Sequence, residues 1–336
     1  MKRSRLLKNL QTKMMDNHRE RCTVMEAAHN GMGTEMTHRI FGDQAAEALQ
    51  AVQMEAQRLE CLLSRFLSQS DISRINGSAG KKCEKISPET FDILQKASDI
   101  SKLSGGLFDV TVGPLADLWD YKHASEPPPD EKIKQILSIV DYRDLKLDAS
   151  QKTAGLNRTG QSLDLGGIGK GFASDRFMEI LRDYGIVSAF SNIGGNVSTL
   201  GRKPDGSAWQ VGIRHPRHNG LIGAVAVAGK AVVTSGDYER YFIDRSGRRF
   251  HHILNPFTGY PGESGLASVT VVSDSAMTAD ALSTAMFVAG LEIGLAFLQD
   301  YPHTQAIFVD TGLQLYVTRG LRHCFKALAG IKVNYL

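Results

Sequence analysis

Ser162-Leu-Asp-Leu-Gly-Gly-Ile-Gly-Lys-Gly-Phe-Ala-Ser-Asp-Arg176 is the stretch that decides how this chain is read. Leu163 and Leu165 alternate around Asp164, which predicts the end of a half-buried strand. Four glycines then fall within six positions, and Phe172 to Tyr184 has helical periodicity, with Phe172, Phe177, Ile180 and Leu181 inward. A strand, a glycine turn and a helix N-terminus in that order can direct backbone N–H groups and the helix dipole at an anion. Lys170 adds a positive charge and Asp164 a carboxylate. Two common motifs are excluded. Asp164 stands where a Walker loop needs its first glycine, and Gly167, Gly169 and Gly171 lack the spacing of a dinucleotide fingerprint. Alone, the stretch is equally consistent with a tight turn in which glycine relieves crowding.

Composition narrows the classes. A chain of 336 residues with 42% hydrophobic residues can bury a large core. Seven Lys/Arg against two acids in residues 1–21 give +5 there, which leaves −2 for the rest of a total of +3. That balance does not suggest a nucleic-acid groove. Residues 1–30 read as a basic, partly ordered tail and 31–336 as the folded domain. No run approaches the ~20 apolar residues of a spanning helix, and the start has neither a signal-peptide core nor a lipobox at Cys22. The four cysteines show no paired spacing. Together these predict a reduced, cytoplasmic protein.

Elsewhere, Met36, His38 and Ile40 alternate as in a strand, and residues 43–66 form a long amphipathic helix ending at Phe66. Phe66 there is either core filler or a stacking platform. Ser87-Pro88 opens a helix through about Ser101. Strands are predicted near 187–191, 209–213, 224–227, 267–272, 305–309 and 313–317. The adjacent His251 and His252 would point to opposite faces of a strand. A helix over Ala276–Ala289, capped by Ser275 and stopped by Gly290, carries Asp280, Ser283 and Thr284 on one side. Those three oxygens suit Mg²⁺, or they form a back-bonded helix with Asp280 paired to a lysine.

Taken in order, these segments resemble the ApbE family of flavin transferases. The resemblance rests on Met32-Gly-Thr34, Ser73-Arg-Ile-Asn76, Phe108-Asp-Val-Thr-Val-Gly-Pro114 with Leu118-Trp119, and Asp164-Leu-Gly-Gly-Ile-Gly-Lys-Gly171. It continues through Ile193-Gly-Gly195, Thr234-Ser-Gly-Asp-Tyr238, His252-Ile-Leu-Asn-Pro256 with Thr258-Gly259, and Ala279-Asp-Ala-Leu-Ser-Thr284, spanning about residues 31–320. It implies an α+β fold, antiparallel sheets flanked by helices, with a FAD cleft between two intimately packed halves. The implied reaction moves FMN from FAD to a Ser or Thr hydroxyl of an acceptor flavoprotein, such as a flavin-dependent reductase, and releases AMP. The implied metal is Mg²⁺ at Gly167, Asp280, Ser283 and Thr284. FAD, the substrate, would meet Met32, Phe66, Leu107, Phe108, Asp109, Asp164, Lys170 and Leu254, with His252 and Lys170 catalytic. Asn255 departs from the family's usual Asp, which puts a second metal position or the local loop pairing in question. A metal-dependent FAD pyrophosphatase and a non-catalytic FAD carrier are the alternatives.

Overall fold

The computed structural model describes residues 23–336. Its centre is a sheet of nine strands whose order across the sheet is their order along the chain. They are Val24–Gly31, Thr34–Phe41, Ser188–Ile193, Asn196–Leu200, Ala231–Gly236, Leu266–Ser273, Gln305–Asp310, Leu315–Val317 and Val333–Tyr335. All neighbours are antiparallel except the last pair. The sheet is thus a meander, interrupted by long excursions that carry helices and smaller sheets.

Period-two alternation sorts the side chains onto two faces. Met36, Ile40, Ile193, Val233, Val269, Val271 and Phe308 face the helices Ala45–Leu63, Pro88–Leu103, Gly169–Asp183 and Ala276–Ala289. Val197, Val232, Val272, Ile307 and Val317 face the other way. They pack against a three-stranded sheet formed by Trp209–Arg214, Leu221–Val227 and Phe325–Ala327. A third, aromatic cluster gathers Trp119, Phe242, Phe250 and Leu254, and Trp119 Nε1 donates to the Gly259 carbonyl at 2.8 Å. Each fully buried aliphatic or aromatic side chain contributes about 1.5–3 kcal/mol.

Three sequence expectations change. The boundary at residue 31 moves upstream, because Val24–Gly31 pairs along its whole length with Thr34–Phe41. Its side chains are exposed and half-buried in alternation, as on a sheet edge, so it lacks the apolar signal of a core strand. The tail through residue 22, with Cys22, lies outside the described residues. The strand predicted at Leu163–Leu165 reduces to one isolated bridge between Val112 and Ser162. The helix after it begins at Gly169, three residues before the predicted start at Phe172. Among the described residues no helix is long and apolar enough to cross a membrane, and Cys61, Cys83 and Cys324 are free thiols.

Candidate active site

The site is built where two helices cross. Gly169–Asp183 brings Lys170, and Ala276–Ala289 brings Asp280, Ser283 and Thr284. Only glycine permits this approach at position 171. A Cβ there would stand 2.3 Å from the Ala276 carbonyl oxygen and 2.7 Å from Asp280 Cβ. The Gly171 N–H donates to Asp280 Oδ2 at 2.8 Å, so one orphan donor of the helix start meets a carboxylate directly. The Gly169 N–H is taken by the Leu165 carbonyl at 2.7 Å. The expected cradle of free N–H groups is therefore partly filled, and Lys170 supplies the mobile positive charge.

A second clamp joins the same helices. The Asp175 carboxylate accepts from the Ala276 N–H at 2.7 Å, the Met277 N–H at 3.0 Å and the Ser275 hydroxyl at 2.7 Å. These bonds cap one helix from the side of the other. Burial nonetheless raises the Asp175 pKa, against the pull of those donors.

Asp280 is 3% exposed. Lys170 Nζ lies 3.6 Å from its Oδ1 and donates to the Gly166 carbonyl at 2.9 Å. The Ser283 and Thr284 hydroxyls donate to the Asp280 carbonyl at 2.9 and 3.3 Å. Back-bonding and a lysine partner are both present, as the bland alternative required. The helix also meets residues that alternative does not need. Ser235, from the Ala231–Gly236 strand, bonds Ser283 at 2.8 Å and Thr284 at 3.2 Å. A Cβ on Gly167 would lie 3.2 Å from Thr284 Oγ1 and 3.1 Å from the Phe108 ring. Gly167, Thr284, Ser283, Asp280 and Lys170 thus converge, with Phe108 beside them. The hard-oxygen donor set suits Mg²⁺, and each hydroxyl keeps lone pairs after back-bonding.

His252 follows the short strand Arg249–His251 and is half-buried. Its Nδ1 lies 3.2 Å from the Arg240 carbonyl, which places the proton on Nδ1 and leaves Nε2 with a lone pair. Burial, then the charges of Arg240, His251 and Lys170, lower its pKa to about 3. His251 is buried and bonds the Gly262 carbonyl at 3.2 Å, so of the two histidines it is the one that serves the core.

The remaining predicted contacts divide. Asp164 accepts from the Gly166 N–H at 2.7 Å and from Arg65 Nη1 at 2.7 Å. Arg65, which sequence reasoning did not single out, thus contacts a predicted site residue. Phe66 is 81% exposed, which settles against core filler. Leu107 is half-buried and packs on the main core, and Phe108 is buried within it. Met32 occupies a two-residue hairpin turn at φ 51°, followed by Gly33 at 73°, a left-handed pair that ordinarily favours Asn-Gly. Asp109 turns inward: its carboxylate accepts from the Thr111 N–H and hydroxyl, both at 2.7 Å, and the Tyr142 N–H at 2.8 Å. Burial outweighs those bonds and pushes its pKa up to about 6. Leu254 lies in the aromatic cluster, bridged to Pro261. Asn255 Oδ1 accepts from the Phe257 N–H at 2.9 Å, so the amide keeps the turn that an Asp would make. Two surface concavities elsewhere, of about 330 and 470 Å³, contain none of the predicted site residues.

Known proteins resemble this chain over most of its length. The model of the ApbE family matches residues 32–308. A FAD:protein FMN transferase of Klebsiella pneumoniae (strain 342) is 34% identical over 300 residues, 88% of this chain and 92% of that protein. One from Treponema pallidum (strain Nichols) is 32% identical over 311 residues, 86% of this chain and 85% of that protein. The solved ApbE protein of Thermotoga maritima has a TM-score of 0.82 at 30% identity, covering 90% of this chain and 99% of its own. The apo flavinyl transferase ApbE of Pseudomonas stutzeri gives 0.80 at 31%, covering 91% and 98%. On sequence and on fold, this chain belongs to the ApbE family.

Proposed function

We propose that this chain is a Mg²⁺-dependent FAD:protein FMN transferase acting on a Ser or Thr of an acceptor flavoprotein. The observation that carries the reading is the convergence of Lys170, Asp280, Ser283, Thr284 and Gly167. In the proposed step the acceptor hydroxyl oxygen bonds to the FMN-side phosphorus of FAD. The bond from that phosphorus to the bridging oxygen breaks, AMP leaves with that oxygen, and the hydroxyl proton passes to His252 Nε2. Lys170 offsets pyrophosphate charge. Mg²⁺, held by the Asp280 carboxylate with the Ser283 and Thr284 hydroxyls and the backbone near Gly167, would neutralise the rest. Phe66, Leu107 and Phe108 would receive the isoalloxazine.

The test is AMP release from FAD and Mg²⁺, with and without an acceptor flavoprotein, followed by mass spectrometry of the acceptor. Acceptor-dependent AMP release with one FMN added to a Ser or Thr is the expected result. Equally fast AMP release without acceptor, with free FMN, would make the chain a FAD pyrophosphatase; no AMP at all would make it a carrier. Asp280→Asn should abolish the Mg²⁺-dependent turnover, and full activity at limiting Mg²⁺ would remove the metal site.

A further inference from the structure

Arg65 lies just past the helix Ala45–Leu63, and its side chain is 12% exposed. Nη1 donates to Asp164 Oδ2 at 2.7 Å, while Nη2 reaches Asp117 Oδ2 at 2.5 Å and the Gly113 carbonyl at 3.4 Å. Its guanidinium carbon sits 5.5 Å from the centroid of the Phe66 ring. One side chain therefore ties together the ends of three segments, each contributing residues expected at FAD: Phe66, the run 107–114, and Asp164.

We propose that Arg65 is a positioning residue of the FAD subsite, holding Asp164 and Phe66 ready for the flavin half of the substrate. The proposal rests on the flavin-transferase reading above. The Asp164 carboxylate is fixed at both oxygens, by Arg65 and by the Gly166 N–H. It cannot rotate freely, yet each oxygen keeps a lone pair for an incoming donor. Phe66 is 81% exposed, and its ring is held against the Arg65 guanidinium, a cation–π contact rather than burial in the core. A large aromatic in that position has its apolar face free for a planar ligand. The task requires arginine. A lysine can pair with Asp164, but its single ammonium cannot span Asp117 and the Gly113 carbonyl while stacking on a ring.

A plain inter-segment ion pair would add little and would not distinguish one half of FAD from the other. The test therefore measures binding of FAD, FMN and AMP by calorimetry, for wild type, Arg65→Met and Arg65→Lys. Arg65→Met should weaken FAD and FMN by about tenfold or more while AMP stays within about twofold, with KM for FAD rising more than kcat falls. Arg65→Lys should fall between, and it carries the comparison if the methionine variant does not fold. FMN affinity equal to wild type in the variants overturns the proposal. So does an equal loss for AMP and FMN, the mark of general disruption. If wild type binds no FAD, the transferase reading itself fails, a result distinct from either.

Discussion

At the scale of single residues, His252 is the group whose environment most shapes what can be measured. Its pKa is lowered from 6.5 to about 3, first by burial and then by neighbouring cations. The free enzyme therefore keeps the imidazole neutral as pH falls from 8 to 5, and protonation sets in only toward the folded value. The profile of kcat/KM should show no inflection near 6.5, where an ordinary histidine base would lose activity; an acid limb there would contradict the lowered His252 pKa. His252→Ala should keep FAD affinity within about tenfold and lose about 10²-fold in rate, since proton transfer rather than binding is removed. As candidates, Lys170, Asp280 and His252 were legible because each stands in a compact motif. Arg65 was not, because its partners Asp117 and Asp164 lie 52 and 99 residues away in sequence. Asp109 was legible as special but not in its bonding, which depends on Tyr142 across a loop.

Secondary-structure elements show where local pattern and tertiary demand agree. The helix Ala276–Ala289 has the bounds its cap and stop residues imply, with Ser275 accepting from the Thr278 N–H. The crossing at Gly171 was readable only as a turn, since its reason is another helix. Gly171→Ala would press a methyl into the Ala276 carbonyl and Asp280 Cβ, and the helices must separate. The expected loss is about 1–3 kcal/mol by chemical denaturation, with weaker Mg²⁺-dependent turnover. Wild-type stability and turnover in that variant would show that the crossing yields freely. In the first hairpin, His38 is 3% exposed and packs between His29, Ser191 and Phe177. Burial, with His29, lowers its pKa to about 4. The unfolded chain binds a proton there below 6.5 and the folded chain does not. Stability is thus full above 6.5 and is lost as pH falls toward 4, by about 2 kcal/mol between pH 7 and 5. His38→Gln should flatten that part of the pH dependence; identical slopes for the two proteins would reject the assignment.

The molecule as a whole was legible as α+β with antiparallel sheets through the family resemblance of its motifs taken in order. Its strand order was not, because nothing in a strand's own sequence names its neighbour, and the edge strand Val24–Gly31 has too little apolar signal to announce itself. That order has a consequence for how the protein is made. Thr34–Phe41 pairs with Ser188–Ile193, so its partner lies beyond the whole excursion over 42–187. Closing a loop of that length costs about 4 kcal/mol of chain entropy before the pairing returns anything. At ribosomal speed the first hairpin waits on the order of ten seconds for its neighbour, with the backbone N–H and C=O groups of that edge unpaired. During that interval the residues from Phe66 to Lys170, which include most of the expected flavin contacts, are all synthesised. Asp280, Ser283 and Thr284, on the helix Ala276–Ala289, follow only after that neighbouring strand, so the helix crossing at Gly171 closes last.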